Sequence, residues 1–521
     1  MRSIDYFDRG HDLDPARTAI VDGYARWSFA EVHALTRRIA LAMAAQGYAR
    51  QSGVALYSPN SGEALIALLA LWRAEAKWIP VNTRNAIDAN AAYLNYVRCE
   101  WLFYHSSLAD DVAALRAAVP SLRHFVCLDR ALDGDPSLEA FIAGQEADDF
   151  VDAHADPFGN LDDIVGIFPT GGTTGPAKGV NVTSLGWGTM IETVGLAMGG
   201  RTDDPVSLVV APITHAAGPV ALATLQFGAT QVILPGFDAE KVLRNIAQHR
   251  VTHMYLPPTA LYGVLGSPEL GQHDTSSLRI FLLVGSPVAP DKLKKAIEIF
   301  GPCMCQCYGQ VESPMIVTWL SPEVAAAAAA GDHPERLASC GRPTHAVRVG
   351  IMDDDGNLLP EGERGEIVVR GALVSKEYFE KPEATAEART FGWHHTGDVA
   401  YRDAQGFLYI VDRKKDMVVT GGFNVFTTEV EAAIMELDAV AECAVFGIPH
   451  EKWGEAVHAV VVARGAVDEA MVIAHAKARL GGVKAPKSVS FAAAIPRTPN
   501  GKMDKKQLRA AFWQDAGRMV N

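Results

Sequence analysis

The sequence predicts an α/β protein: a large N-terminal domain of doubly wound α/β layers with a small β-barrel-like subdomain, then a small, mobile α+β C-terminal domain. Three observations carry this expectation. The chain has 521 residues, too many for one hydrophobic core. Between residues 35 and 284, short apolar runs alternate with segments of helical period, the pattern of sheets covered by helices. From residue 346 the texture turns to short strand-like runs, and about a hundred residues of fresh α/β pattern follow residue 412, the usual size of a small domain.

Each element has its own signal. Leu35, Ile39, Ala42 and Met43 recur at helical spacing, and Gly47 stops the run. Val54-Ala55-Leu56-Tyr57 reads as a strand, residues 63–72 as a helix, and Trp78-Ile79-Pro80-Val81 as a second strand. Ile164-Val165-Gly166-Ile167-Phe168 reads as a buried strand. Strands at 208–210, 231–234 and 280–284 and a helix over 237–250 continue the alternation. The runs at 346–352, 365–370 and 407–411 form the β-rich subdomain, with Asp353-Asp354-Asp355-Gly356 as a turn. The alanine run 325–330 predicts a surface helix. Asp412-Arg413-Lys414-Lys415-Asp416 reads either as a solvated turn or as a hinge at Lys415, dividing a domain of residues 1–412 from one of residues 413–521.

A net charge of −14 argues against nucleic acid or an anionic membrane as partner. An anionic ligand would need a site built locally from backbone N–H groups and a few cations. Cys303, Cys305 and Cys307 alternate like one face of a strand and lack zinc-type spacing. They read as buried residues of a protein in a reducing compartment. The N-terminus lacks an apolar signal core, and the most apolar stretch, residues 64–72, is far short of a membrane span. A soluble, cytoplasmic protein without integral membrane association is expected. The oligomeric state is left open, a homodimer included.

The most informative segment is residues 168–179, Phe-Pro-Thr-Gly-Gly-Thr-Thr-Gly-Pro-Ala-Lys-Gly. Glycines at 171, 172 and 175 let backbone N–H groups turn toward an anion. Thr170, Thr173 and Thr174 add hydroxyls, and Lys178 adds a charge. This is the chemistry of a polyphosphate cradle. It is not a Walker sequence, which ends Gly-Lys-Ser/Thr, and a flexible surface loop is the competing reading.

Four further clusters follow: Tyr308-Gly309-Gln310-Val311-Glu312; His394-His395-Thr396-Gly397-Asp398; Asp412-Arg413 with Gly421-Gly422; and Pro496-Arg497-Thr498-Pro499-Asn500-Gly501-Lys502. With the Thr/Gly loop they resemble, in order and from about residue 20 to 510, the adenylate-forming superfamily of acyl-CoA synthetases, peptide-synthetase adenylation domains and luciferases. The resemblance implies ATP-dependent activation of a carboxylic acid to an acyl-adenylate, with release of pyrophosphate and then transfer to a thiol. ATP, Mg2+ and coenzyme A are the implied co-substrates and cofactor.

It also implies roles. The loop Thr170, Gly171, Gly172, Thr173, Thr174, Gly175 and Lys178 holds the β- and γ-phosphates. Glu312, with Thr173, is the expected magnesium site. Gly285, Ser286 and Pro287 lie along adenine, with Tyr308 on its other face and Gly309, Gln310 and Val311 beside the nucleotide. Asp398 accepts from the ribose hydroxyls and Arg413 adds nucleotide contacts. Lys502 reaches the acid oxygen and α-phosphate during adenylation and withdraws as the small domain rotates about Lys415. Gly421, Gly422 and Trp453 then line the pantetheine tunnel, although simple packing explains Trp453 as well. Without the resemblance Lys502 would read as an exposed lysine beside Lys505 and Lys506. The chain departs from the family at Val311, where threonine is usual.

Pro212-Ile213-Thr214-His215-Ala216-Ala217-Gly218 matches the family's acid-pocket turn. His215 would stand between carboxylate and thiol; a core or capped histidine is the alternative. Ala216, Ala217, Gly218, Gly309, Pro314 and Met315 are small or apolar, and no aspartate awaits a substrate ammonium. An uncharged aromatic or aliphatic acid is expected. Coenzyme A is the expected acceptor, an acyl carrier protein the next reading. A nucleotide-binding regulator or an ATP hydrolase are readings of a different class.

Overall fold

The computed structural model describes residues 1–132, 134–152, 160–170, 178–200, 202–498 and 503–513, with His215 described at its backbone only. The loop glycines and threonines at 171–175 and Lys502 lie outside these residues. The chain forms two compact units, residues 1–349 with 369–394, and residues 350–368 with 395–521.

Two largely parallel sheets organise the first unit. One orders nine strands: Arg342–Pro343, Thr318–Leu320, Met304–Tyr308, Ile280–Leu283, His253–Leu256, Val206–Val209, Thr230–Ile233, Thr18–Asp22 and Ala25–Ser28. The other orders seven: Glu377–Tyr378, Lys178–Thr183, Ile164–Thr170, Lys77–Pro80, Gly53–Tyr57, Trp101–Tyr104 and His124–Cys127. The central strands of both are apolar end to end, as burial on both faces demands.

Helices lie where the 3.6-residue period places them. Phe29–Ala45 starts with a capping box, Ser28 accepting the Glu31 N–H while Glu31 accepts the Ser28 N–H. Ala239–His249 is capped by Asp238 and ends on Arg250 at φ 50°. The alanine helix, Pro322–Ala329, is not wholly a surface element. Ala325 and Ala328 are buried, because the small side chains let the helix lie close to its neighbours.

An aromatic core sits under the strand that leads to the Thr/Gly loop. Trp72 meets Trp78 edge-on at 5.7 Å, and Phe168 stacks on Trp187 at 5.3 Å. Gly166 is needed there: a Cβ would come within 2.9 Å of the Trp78 carbonyl oxygen.

The second unit contains two further sheets. One orders Arg348–Met352, Gly365–Arg370, His394–Arg402 and Leu408–Arg413. The other orders Phe423–Val425, Val418–Thr420, Gly454–Ala463 and Val440–His450, and Ser488–Phe491 adds in parallel to Gly454–Ala463. Helices Thr427–Met435 and Glu469–Lys484 pack over a core of Val418, Val430, Ile434, Val445, Val457 and Val472.

The charge run at 412–416 is not simply a solvated turn. Asp412 closes the strand Leu408–Arg413 and is 4% exposed. Its carboxylate accepts the backbone N–H of Thr427, the Thr427 hydroxyl at 3.0 Å and the Arg413 N–H at 2.7 Å. It thereby satisfies a first-turn N–H of the helix Thr427–Met435, which explains how a carboxylate tolerates burial. Residues 414–416 form the turn proper.

Candidate active site

The strands on either side of the expected phosphate loop form a β-hairpin. Ile164–Thr170 and Lys178–Thr183 pair antiparallel, with Thr170 opposite Lys178 and Pro169 opposite Gly179. The ladder therefore fixes both ends of the loop. Gly179 admits the crossing chain, since a Cβ there would meet Ile167 Cγ2 at 2.7 Å. Tyr93 ties the strand entering the loop down by donating to the Ile167 carbonyl at 2.9 Å.

Lys178 is exposed, and its Nζ lies 4.8 Å from the centroid of the Tyr378 ring. The Tyr378 hydroxyl donates to Glu312 Oε1 at 2.8 Å. Glu312 is also held through its backbone, its carbonyl accepting the Ser375 N–H at 2.7 Å. Among the described residues Glu312 Oε2 makes no hydrogen bond, which leaves one carboxylate oxygen as an available acceptor. Burial, and then the Glu312 charge, push the Tyr378 phenol well above its ordinary value, so it stays a donor. Lys178 and Glu312, expected from sequence to serve phosphate and metal, are thus joined by a residue that sequence reasoning missed.

The turn before Glu312 is dictated sterically. A Cβ on Gly309 would lie 2.5 Å from the Met315 carbonyl carbon and 2.7 Å from its nitrogen. Met315 itself takes φ 63°, and Gln310 N–H closes the turn onto the Ser313 carbonyl at 3.1 Å. Tyr308, Gly309, Gln310, Val311 and Glu312 are therefore presented from the end of the strand Met304–Tyr308, with Pro314 and Met315 buried beneath. Gly285, φ 104°, turns the chain at the carboxyl end of Ile280–Leu283, leaving Ser286 and Pro287 exposed. Ligands of open α/β sheets bind at such strand ends.

Cys303, Cys305 and Cys307 are buried free thiols on the strand side below, as expected. Burial pushes the Cys303 thiol up to about 12 and the other two further in the same direction.

The segment expected to form the acid pocket is a single π-helical turn, Ile213–Ala217, running into the helix Gly218–Leu225. Such turns concentrate at functional sites. A Cβ on Gly218 would stand 2.5 Å from the Ile213 carbonyl oxygen. Asn60 anchors the turn. Its amide nitrogen donates to the carbonyls of Val210, Ala211 and Leu234 at 3.1, 2.9 and 3.1 Å, and its oxygen accepts the Ile213 N–H at 2.8 Å. In sequence Asn60 is one more turn residue before a helix. A narrow cavity lined by Val209, Val210, Ala217, Val220, Ala221 and Tyr255 adjoins the turn. Ala216 is half-buried, and the His215 side chain is outside the description.

In the second unit, Asp398 and Arg413 face each other across paired strands, with Arg413 Nε 3.5 Å from Asp398 Oδ1. The turn before Asp398 is organised by Glu366, which accepts from His395 Nδ1 at 3.0 Å, Gly397 N–H at 2.8 Å and Lys414 Nζ at 3.1 Å. Burial alone would raise the Glu366 pKa. The His395 hydrogen bond, the Gly397 N–H and Lys414 outweigh burial and hold the carboxyl below its ordinary range. A lone charged residue opening the apolar run Ile367-Val368-Val369 was the available signal.

Gly421 and Gly422, at φ 57° and 83°, adopt the left-handed conformation that side chains resist. Gly421 N–H donates to the Trp453 carbonyl at 2.9 Å. Trp453 stacks on His450 at 4.2 Å, and Lys487 Nζ lies 5.6 Å from its ring centroid. The three residues expected at the thiol tunnel are brought together. Lys415 lies in the 414–416 turn that joins the unit's two sheets.

Comparison with known proteins extends this picture. A family model described as AMP-binding enzyme matches residues 7–379, and one described as AMP-binding enzyme C-terminal domain matches residues 429–502. A medium/long-chain-fatty-acid–CoA ligase, FadD8 of Mycobacterium tuberculosis, is 44% identical over 69% of this chain and 63% of its own length. The feruloyl-CoA synthase of an Amycolatopsis species is 34% identical over 96% of this chain and 97% of its own. Among solved structures, ATP-bound MatB from Rhodopseudomonas palustris superposes with a TM-score of 0.86 at 30% identity, covering 99% of this chain and 100% of that one.

Proposed function

Because this chain belongs to the AMP-binding enzyme family of adenylate-forming acyl-CoA synthetases, we propose that it activates an uncharged aromatic acid or a medium- to long-chain fatty acid. It is an acid–thiol ligase that uses ATP and coenzyme A. A carboxylate oxygen attacks the α-phosphorus, the bond from that phosphorus to the bridging oxygen breaks, and pyrophosphate leaves. The thiolate of coenzyme A then attacks the acyl carbon, the thioester C–S bond forms, and AMP departs with the electron pair of the acyl C–O bond.

Charge gathers around phosphorus in the first step, so cations and N–H donors must already wait there. We assign that work to the loop of Thr170, Gly171, Gly172, Thr173, Thr174, Gly175 and Lys178, and to Lys502. Glu312 and Thr173 would hold Mg2+, which when bound neutralises phosphate charge; the carboxylate oxygen left to Glu312 suits a hard cation. Asp398 takes the ribose hydroxyls and Arg413 stands beside it. His215 borders the acid carboxylate.

We place the hinge at Lys415, dividing residues 1–412 from 413–521, because the 414–416 turn passes from one sheet to another. Gly421, Gly422 and Trp453 then line the path of the thiol arm. The small or apolar residues Ala216, Ala217, Gly218, Pro314 and Met315 and the substrates named for the two relatives support an uncharged acyl group. The seven free cysteines support a reducing, cytoplasmic setting.

The observation that carries the reading is a family match across both segments, 7–379 and 429–502, which takes in the cradle, Glu312 and Lys502 alike. The test is incubation with ATP and a panel of acids, with and without coenzyme A. Acid-dependent pyrophosphate release with thioester formation is expected. Acid-independent phosphate release would instead identify a hydrolase, and ATP binding without turnover a regulator. Thioester formation on an acyl carrier protein but not on coenzyme A would reassign the acceptor.

A further inference from the structure

We propose that Tyr378 is a positioning residue that fixes the Glu312 carboxylate and the Lys178 ammonium as one unit for the metal–nucleotide complex. The inference rests on the assignment of Glu312 to magnesium and of Lys178 to phosphate.

Three observations support it. First, Tyr378 touches both partners through different parts of its side chain, the hydroxyl on Glu312 Oε1 at 2.8 Å and the ring face toward Lys178 Nζ at 4.8 Å. Second, its own position is over-determined. The strand Glu377–Tyr378 pairs with Val180 and Asn181 just beyond Lys178. Tyr378 N–H donates to Thr385 Oγ1 at 3.0 Å, and Asn181 Nδ2 donates to Glu377 Oε1 at 3.1 Å. Phe379 N–H donates to the Gly179 carbonyl at 2.7 Å. Third, the same segment holds Glu312 through the Ser375 N–H, so backbone and side chain of one carboxylate are fixed by one short stretch, residues 375–379.

The consequence is chemical. Holding Oε1 in a hydrogen bond leaves Oε2 oriented for a cation and removes a rotamer search from metal binding. The ring meanwhile keeps the lysine from collapsing onto the carboxylate, a contact that would cancel both charges before nucleotide arrives.

Tyr378→Phe separates the two contacts: it keeps the ring and deletes the hydroxyl. Binding of Mn2+ with α,β-methylene-ATP, followed by electron paramagnetic resonance, should weaken about tenfold, the size of one hydrogen bond to a charged acceptor. Binding of the metal-free analogue in EDTA, measured by calorimetry, should not change. Tyr378→Leu should weaken metal-free binding as well, by about two- to fivefold through loss of the ring beneath Lys178. Thermal unfolding of the variants confirms the fold. Glu312→Gln is the control for the underlying reading. If it leaves Mn2+ binding intact, the metal assignment fails and the proposal with it. If Glu312→Gln weakens Mn2+ binding while Tyr378→Phe does not, the positioning role alone is overturned.

Discussion

The side-chain oxygen of Asn60 accepts the Ile213 N–H at 2.8 Å, joining residues 153 positions apart in sequence. One buried amide thus ties the end of two strands to the π-helical turn that carries His215. Asn60→Ala would orphan that N–H and three carbonyls. A loss of about 2 kcal/mol is expected in urea unfolding. KM for the acid should rise while KM for ATP holds, because the turn is proposed to border the acid pocket.

Gly309 has no room for a methyl group against the Met315 backbone. Gly309→Ala should cost about 1–3 kcal/mol. It should also slow adenylation, because Glu312 rides on the same turn. A variant with normal stability and normal pyrophosphate exchange would show that the backbone yields without moving the carboxylate.

The pH dependence of the second unit follows from Glu366. Its folded-state pKa lies below the ordinary 4.5, so the folded state binds fewer protons than the unfolded chain in that window. Its contribution is fully present above 4.5 and is lost as pH falls through the lowered value. Glu366→Gln should flatten the acid limb of the stability–pH curve, measured by urea midpoints at successive pH values. The same variant should weaken ATP binding, because the Gly397 turn that presents Asp398 exchanges a charged acceptor for a neutral one.

Gly421→Ala and Gly422→Ala force a Cβ into left-handed backbone and should each cost about 1 kcal/mol. Gly422→Val adds bulk where the thiol arm is proposed to run. Conversion of a preformed acyl-adenylate by coenzyme A should fall, with pyrophosphate exchange retained. Equal loss of both steps would remove these glycines from the thiol path.

Lys502→Ala should nearly abolish adenylation while a preformed acyl-adenylate is still converted by coenzyme A. Equal loss in both half-reactions would refute the rotation about Lys415. Val311→Thr adds a hydroxyl where the AMP phosphate is proposed to lie and should leave turnover unchanged or raise it. A clear fall would mean that the valine shapes the acid pocket.

Local signals carried most of the fold. Val54 to Tyr57, Trp78 to Pro80 and Gly365 to Arg370 are strands because their apolar runs admit little else, and Gly47 and Arg250 end helices where expected. The motif residues meet across paired strands, a relation their sequence did not show: Thr170 lies opposite Lys178, and Asp398 opposite Arg413. What stayed hidden depends on distant partners. Asn60, Tyr378 and Glu366 are ordinary polar residues until folding brings Ile213, Glu312 and Gly397 to them. Asp412 misled for the same reason, since its burial is made tolerable by a helix start that lies fifteen positions further on.

The thiols offer a practical handle. Cys443 is the lone cysteine of residues 350–368 and 395–521, whereas Cys99, Cys127, Cys303, Cys305, Cys307 and Cys340 belong to the other unit. Cys443 is 2% exposed and its thiolate is disfavoured by burial. A maleimide added to the native enzyme will therefore find it only when its own sheet opens. Mass spectrometry of labelled peptides then reads two unfolding clocks from one sample, without any engineered probe.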